Sequence, residues 1–270
     1  MRSSLAKRMI KCWSRRLFAA GSRAFMASGR NFIPGVRILT YHRVVADTHD
    51  PFSVSPRDFR QQMELVATTG RAVDLGTALK QMAGECEPVP RIVLTFDDGT
   101  RDFLTEAFPV LLRLDLPAVI YVNPSRLGSP GFLAWHELRE LLRARVQVGS
   151  HCLDHVSLGR LERDEVRRQL VESRRVLEDC LGQEVKSLAY PYGTMRDFNE
   201  RVRDEVKCAG YLSACTSING VNALGVDPLS LRRTKIEQGD LPIFSWILEG
   251  SLDGWSFFDK HLAYVQSRYV

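Results

Sequence analysis

Residues 91–99 read RIVLTFDDG, a short apolar run that ends in two adjacent carboxylates and a glycine. The run Ile92–Phe96 has the length and composition of a strand buried on both faces, as in a parallel sheet. Carboxylates at the end of a buried strand are costly unless a cation or hydrogen bonds compensate them. Gly99 allows the backbone to turn sharply after Asp97 and Asp98. The stretch therefore predicts either a functional site or a helix N-cap with a spare acid.

The order of strand, loop and helix repeats along the chain from Asn31 onward. The predicted strands are Val36–Thr40, Ile92–Phe96, Ala118–Val122, Val146–Gly149, Ser187–Tyr190, Leu212–Thr216 and Leu231–Ile236. The predicted helices are Pro56–Gly70, Asp102–Asp115, Trp135–Ala144, Leu161–Leu181 and Arg196–Ala209. This alternation indicates an α/β fold with parallel strands and outer helices, an irregular (β/α)7-type barrel. A doubly wound open sheet is the alternative, and in both folds functional groups lie where strands end.

A pair of histidines follows the fourth predicted strand. His151 and His155, within GSHCLDH at residues 149–155, are four residues apart and can meet on one side of a helical turn. This spacing is typical of metal ligands, although such a pair also occurs by chance. Together with Asp98 the two histidines would form an Asp-His-His set with positions left open for water and substrate. An open set of this kind is catalytic rather than structural.

Three further motifs also begin or end predicted elements. AYPYG at residues 189–193 is a rigid turn, and the backbone around Pro191 and Tyr192 could stabilise an oxyanion. His42 follows the first strand and is either a general acid or a structural histidine. Trp135 opens a helix and either lines the site near the histidines or belongs to the core.

The motifs TFDDG, H-x3-H and Tyr-Pro-Tyr-Gly, in this order, resemble the polysaccharide deacetylase family, carbohydrate esterase family 4, whose conserved unit is the nodulation-factor deacetylase homology domain. The resemblance covers about residues 36–216 and implies an irregular (β/α) barrel. It implies that Asp97 is the general base and that Asp98, His151 and His155 bind a divalent metal, usually Zn2+. The implied reaction is removal of an N-acyl group, expected to be N-acetyl, from an amino sugar in a polysaccharide or oligosaccharide.

The resemblance includes two departures from the family pattern. Ala189 stands where the third motif has an arginine, and His136 stands where the acid that pairs with this arginine is expected. The late Leu-x-His motif that supplies the general acid is not evident either. However, the early Tyr-His segment resembles the branch that deacetylates poly-N-acetylglucosamine, in which the motif order is permuted. That resemblance makes His42 the candidate general acid.

The positive charge of the chain is concentrated at its start. Residues 1–30 carry eight basic and no acidic side chains, so the net charge of +5 leaves −3 on the remainder. We therefore divide the chain into a basic amphipathic N-terminal arm, residues 1–30, and a catalytic domain, residues 31–270. Leu5, Met9, Trp13 and Leu17 recur every four residues, as in a helix on an anionic membrane surface. A solvated tail and a helix packed on the body are the alternatives.

The composition of the chain limits the expected binding partners and cellular location of the protein. The mildly acidic body argues against nucleic-acid binding, and the arm lacks the continuous apolar segment of a secretory signal. The six scattered cysteines are expected to be free thiols in a reducing compartment. We expect a cytoplasmic protein that contacts the inner face of the membrane peripherally through residues 1–30. Two functional alternatives remain: a deacylase or deformylase of a lipid-carrier-linked amino sugar, and an inactive carbohydrate-binding member of the family.

Overall fold

A computed structural model describes residues 2–27, 35–46 and 50–261, with side chains for residues 11–24, 35–46 and 50–259. The strands are β1 Val36–Tyr41, β2 Arg43–Val44, β3 Ser53–Val54, β4 Arg91–Phe96, β5 Ala118–Val122, β6 Val146–Ser150, β7 Ser187–Ala189, β8 Ser213–Cys215 and β9 Thr234–Lys235. Seven of them form one parallel sheet in the order β8-β7-β6-β5-β4-β1-β9, and β2 pairs with β3 beside it. The predicted strands are confirmed, each within a few residues of its predicted ends.

The sheet curls so that its two sides approach one another through residues 231–235. Leu231 bridges Cys215 at the end of β8, with N–H···O distances of 2.8 Å from Thr216 to Leu231 and 2.9 Å from Leu231 to Ala214. A few residues later β9 pairs with β1 on the other side of the sheet. The expected (β/α)-type barrel is therefore confirmed, and the open doubly wound sheet is excluded.

Helices flank this sheet along most of its length. They are α1 Arg2–Ala27, α2 Pro56–Thr68, α3 Leu75–Met82, α4 Phe108–Arg113, α5 Trp135–Leu141, α6 Arg163–Leu181, α7 Glu200–Cys208, α8 Phe244–Leu248 and α9 Ser256–His261. The Ser55 side chain caps α2 by accepting from Asp58 N–H, and α6 ends at Gly182, whose φ is 69°. The sequence analysis missed α3, which is only eight residues long and is capped by Asp74.

The predicted helix Asp102–Asp115 is divided into two parts. Its first turns, Phe103–Ala107, are π-helical, and Phe108 N–H bonds to the carbonyl of Phe103, five residues back. Pro109 explains the change, because it has no N–H and its ring crowds the carbonyl of the preceding turn.

The helix α1 packs on the barrel with one face and turns another face outward. Arg15, only 1% exposed, bonds to Asp240 and to the carbonyl of Lys235, while Phe18 packs edge-on against Trp255. Trp13 and Leu17 point outward and are 59% and 68% exposed. The side chains of Leu5 and Met9, the other members of the predicted apolar face, lie outside the described part. Among the described helices, none combines the length and hydropathy needed to span a bilayer.

Candidate active site

The strand ends place the predicted motifs along one edge of the sheet. Tyr41 at the end of β1 pairs with Phe96 at the end of β4, so the next residues, His42 and Asp97, leave the sheet side by side. Strands β5 and β6 also end in register, and His151 follows β6 at the same edge. Residues that are far apart in the chain therefore meet because their strands are parallel and end together.

Asp98, His151 and His155 form a cluster of potential metal ligands at this edge. The Nε2 atoms of both histidines lie 3.6 Å from Oδ1 of Asp98, and all three ligand atoms lie within 4.8 Å of one another. Ligands held about 2.0–2.2 Å from one tetrahedral ion are roughly 3.3–3.6 Å apart. The two distances from Asp98 to the histidines therefore fit one zinc-sized ion. The side chains of Asp98 and His155 are 23% and 19% exposed, which leaves the cluster open to water and substrate.

Hydrogen bonds orient the buried ring of His151 for metal binding. Its Nδ1 lies 2.7 Å from the carbonyl oxygen of Ala189. Since a carbonyl oxygen only accepts, Nδ1 carries the proton, and the lone pair of Nε2 is directed towards Asp98. The backbone N–H of His151 donates to Val122 O at 2.8 Å, and the side-chain amide of Asn123 donates to the carbonyl of His151.

The second histidine is held in its neutral form. Burial, together with the charge of neighbouring His151, lowers the pKa of His155 to about 4. The neutral imidazole is the form that ligates metals, so His155 is ready to bind at neutral pH. The ring of Tyr192 packs edge-on against His155, with ring centroids 4.6 Å apart.

Asp97 lies beside the cluster and is paired with a buried arginine. Nη1 and Nη2 of Arg233 donate to Oδ1 and Oδ2 of Asp97, both at 2.7 Å. Burial alone would raise the pKa of Asp97, but the charge and hydrogen bonds of Arg233, together with the nearby His151 and His42, outweigh burial and hold the pKa well below its usual range. Asp97 is therefore ionised and fixed in orientation.

His42 approaches the same carboxylate from β1. Its Nε2 lies 4.0 Å from Oδ2 of Asp97. Its Nδ1 is buried and has no hydrogen-bond partner among the described residues. The ring of Phe52 packs against the imidazole, with centroids 5.2 Å apart and planes inclined by 33°. Within the described part of the chain, packing rather than a hydrogen bond sets the plane of this ring.

Strained backbone is concentrated at the site. Of the four non-glycine residues described with positive φ, three belong to the predicted motifs: Asp98 at 73°, Cys152 at 64° and Tyr192 at 61°. Such conformations cost about 1–3 kcal/mol each and occur mainly where function requires a particular side-chain or backbone direction. The sharp turns aim Asp98 at the histidines and expose the ring of Tyr192, which is 38% accessible.

The remaining predicted residues lie near the site to different degrees. Pro191 is buried in the turn before Tyr192, and Gly193 N–H closes this turn on the Pro191 carbonyl at 2.7 Å. Gly193 has a φ of 59°, and a Cβ at this position would lie 2.6 Å from the backbone nitrogen of Ser217. Trp135 is the first residue of α5 and packs, half-buried, against the main hydrophobic core.

Arg233 is the site residue that the sequence analysis missed. The guanidinium expected at residue 189 comes instead from the residue before β9, and the Ala189 carbonyl is used to orient His151. A signal for it was present, because the predicted strand Leu231–Ile236 contains Arg233 and Lys235. Cations in a buried strand need acidic partners. The motif position at Ala189 carries no arginine, as the sequence shows, but the site contains one from another part of the chain.

Comparisons with known proteins agree with this geometry. Residues 84–214 match the family model described as polysaccharide deacetylase. YxkH of Bacillus subtilis (strain 168) is 23% identical over 204 residues, which cover 75% of this chain and 71% of that protein. Poly-beta-1,6-N-acetyl-D-glucosamine N-deacetylase of Escherichia coli (strain K12) is 25% identical over 207 residues, which cover 68% of this chain and 29% of that protein. The structure of IcaB from Ammonifex degensii matches with a TM-score of 0.73 at 25% identity, covering 80% of this chain and 97% of IcaB.

The fold and the site together define a hydrolase built on a (β/α)-type barrel. The resemblance to the polysaccharide deacetylase family inferred from the motifs is confirmed, because residues 84–214 match the family model and similar proteins and structures carry the same name or fold. The expected enzyme class, hydrolases that act on non-peptide carbon–nitrogen bonds, is confirmed with it. The family is metal-dependent in general, and the Asp98, His151 and His155 cluster could hold the ion.

Proposed function

We propose that this protein is a metal-dependent hydrolase that removes an N-acyl group, in the first instance N-acetyl, from an amino sugar in a polysaccharide or oligosaccharide. The observation that carries the proposal is an open cluster of three metal ligands beside an ionised carboxylate and a histidine, Asp97 and His42, which are 4.0 Å apart. The Escherichia coli relative is named for the same chemistry on poly-N-acetylglucosamine. A site of this composition suits attack of water on an amide.

Asp98, His151 and His155 would hold the divalent ion. Zinc fits best, because the ligands are two imidazoles and one carboxylate, and each imidazole lies 3.6 Å from the carboxylate. When bound, such an ion polarises the acyl carbonyl and lowers the pKa of water at the site.

Asp97 and His42 divide the proton transfers between them. Asp97 accepts a proton from the attacking water while Arg233 keeps its carboxylate in place. His42 donates a proton to the amine nitrogen as the carbon–nitrogen bond breaks, so that the products are a carboxylic acid and a free amino sugar. The short distance between the two side chains allows both to reach one reacting centre.

The turn at residues 189–193 completes the site. The backbone N–H of Tyr192 would stabilise the oxyanion that forms when water attacks, while Pro191, which has no N–H, keeps the turn rigid. The exposed ring of Tyr192, next to His155, offers a surface on which a sugar ring can pack. Trp135 would act more indirectly, through the core that supports α5.

The test is release of acetate or formate from a panel of N-acyl amino sugars by zinc-loaded protein. The panel includes oligomers of N-acetylglucosamine with β-1,4 and β-1,6 linkages, and a lipid-linked N-acyl amino sugar in detergent. Release from at least one substrate, abolished by chelation and restored by added zinc, supports the proposal. Metal binding without release from any substrate favours the inactive carbohydrate-binding alternative.

A second candidate is action on a lipid-carrier-linked amino sugar at the cytoplasmic face of the membrane. The outward face of α1 favours it, because Trp13 and Leu17 are exposed one helical turn apart. Part of the arm's charge is used elsewhere, since Lys11 and Arg15 pair with Glu237 and Asp240. The other cations of the arm would each contribute about 1 kcal/mol near an anionic leaflet.

Co-sedimentation with anionic vesicles tests this second candidate. We expect the Trp13→Ser, Leu17→Ser double variant to sediment less than the wild type at low salt. Leu112→Ser is the matched control, because Leu112 is 62% exposed on α4. If the wild-type protein stays in the supernatant at low salt, the second candidate is rejected and only action on a soluble polysaccharide or oligosaccharide remains.

A further inference from the structure

The N-terminal helix reaches the candidate general acid through one aromatic side chain. The Nζ atom of Lys11 on α1 lies 5.3 Å from the ring centroid of Phe52. The same ring packs against the imidazole of His42, with centroids 5.2 Å apart. A cation over an aromatic face is attracted by the ring, so Lys11 favours one position of Phe52.

Lys11 is itself held in place by a buried ionic cluster. Its Nζ lies 2.8 Å from an oxygen of Glu237. One turn along the helix, Arg15 pairs with Asp240 at 2.7 Å and donates to the carbonyl of Lys235 at 3.0 Å. These contacts fix the position of α1 along its axis and its rotation about that axis, because Arg15 is almost completely buried.

Residues 50–52, which include Phe52, are bonded to the segment 237–240 that also holds α1. Gln238 N–H donates to the carbonyl of Pro51 at 3.2 Å, and Phe52 N–H donates to the Asp50 side chain at 2.9 Å. The next residues form β3, which pairs with β2 just after His42. The backbone of residues 50–52 is thus fixed, and Lys11 and His42 both contact the Phe52 ring.

We propose that α1 is a positioning element of the active site, in which Lys11 holds Phe52 against His42 and so directs Nε2 of His42 towards the reacting centre. Packing is what orients this imidazole, because its Nδ1 has no hydrogen-bond partner among the described residues. Lys11 is a positioning residue and touches neither substrate nor metal. The inference rests on the proposed function only in that His42 is the general acid.

The experiment compares two cations of the same helix. Lys11→Met removes the charge over Phe52 and keeps the length of the side chain, while Arg15 remains to pair with Glu237. Arg23→Met is the control, because Arg23 lies 4.9 Å over the ring of Trp246 and takes no part in the site. A soluble N-acyl oligosaccharide is used without vesicles, so that membrane contact has no influence.

We expect kcat of Lys11→Met to fall about tenfold with KM changed by less than about twofold, since small displacements of a catalytic group cost rate rather than binding. Lys11→Arg should restore most of kcat, and Arg23→Met should match the wild type. Phe52→Leu should show the same loss as Lys11→Met. The kcat of the Lys11→Met, Phe52→Leu double variant should be no lower than that of Phe52→Leu alone, because Lys11 acts on His42 through Phe52.

A spectroscopic readout separates this inference from the proposed function. The imidazole signals of His42, assigned by their disappearance in His42→Gln, should shift in Lys11→Met and Phe52→Leu but not in Arg23→Met. An active enzyme in which Lys11→Met keeps the kcat and the His42 signals of the wild type would overturn the inference alone. Wild-type protein without activity on any substrate would overturn the proposed function, and the His42 signals would then decide whether Lys11 orients the ring.

Discussion

Arg233 and Asp97 are 136 residues apart in the chain and form a buried, two-bond ion pair at the centre of the site. Two parallel hydrogen bonds hold both carboxylate oxygens, and the positive charge keeps the carboxylate ionised despite its burial. The arginine comes from the segment that joins the two sides of the sheet. The same few residues therefore close the barrel and keep the Asp97 carboxylate ionised and oriented.

The first prediction concerns the pH dependence that this pair sets. Arg233→Lys keeps one charge but loses the two-bond geometry, so the pKa of Asp97 should rise towards its usual value. Because Asp97 works in its ionised form, activity is lost below its pKa, and the acid limb of kcat/KM should move to higher pH. The pH profile of the purified variant measures this shift, and an acid limb that does not move would show that Arg233 does not tune the base.

The second prediction concerns the metal ligands. Elemental analysis of the His151→Ala, His155→Ala double variant should show little bound zinc, since only Asp98 of the cluster remains. His136→Ala is the control, because His136 is an exposed histidine on α5 and should leave occupancy unchanged. Full zinc occupancy in the double variant would place the ion elsewhere.

The third prediction separates proton transfer from metal binding. Asp97→Asn and His42→Ala should each lower kcat by about 10²–10⁴-fold while zinc stays bound, because neither side chain belongs to the ligand cluster. Turnover and zinc content are measured on the same samples. Near-normal activity in His42→Ala would assign the acid to another group and remove the support for the permuted-motif resemblance.

The fourth prediction concerns the ionic cluster under α1. Arg15→Met leaves Asp240 buried without its partner and should lower the free energy of unfolding by about 3–5 kcal/mol. Urea denaturation measures the change, with Arg23→Met as the matched control, for which we expect a loss of less than about 1 kcal/mol. Equal stabilities of the two variants would contradict a buried role for Arg15.

The difference in unfolding free energy between the wild type and Arg15→Met should also depend on pH. Burial raises the pKa of Glu237, but the charges of Arg15 and Lys11 outweigh burial and hold the pKa at about 2. A carboxylate whose folded pKa lies below its unfolded value, about 4.3, stabilises the fold above that value and loses this contribution as the pH falls towards 2. The gap between wild type and Arg15→Met should therefore narrow on acidification from pH 6 to pH 3.

These contacts also affect any truncation of the arm. Removing residues 1–30 removes Arg15 and Lys11 together and leaves Glu237 and Asp240 buried without them. We therefore expect the truncated protein to lose stability and activity on soluble substrates as well as any membrane binding. The outward Trp13→Ser, Leu17→Ser substitutions test membrane contact without this effect.

The amino-acid sequence alone determined the repeating strand–helix pattern, the barrel class and the ligand motifs. Apolar runs such as Ile92–Phe96 and the short H-x3-H spacing involve residues close together in the chain. Such local patterns can be recognised in the amino-acid sequence alone. The α1 helix was also visible in its four-residue apolar spacing. Its docking was not, because the same basic and apolar pattern suits a membrane surface or a protein surface.

Tertiary structure alone decided which distant side chains meet. The pairing of Arg233 with Asp97, the contact of Lys11 with Phe52 and the use of the Ala189 carbonyl to orient His151 all depend on strand register and barrel closure. A family motif indicates where an arginine usually lies, but the carboxylate requires only a guanidinium at the right distance. A curled sheet brings several strand ends to the same place, so another strand can supply this group. The cations of the predicted strand Leu231–Ile236 indicated that acidic partners were needed, but only the fold shows that Asp97 is the partner of Arg233.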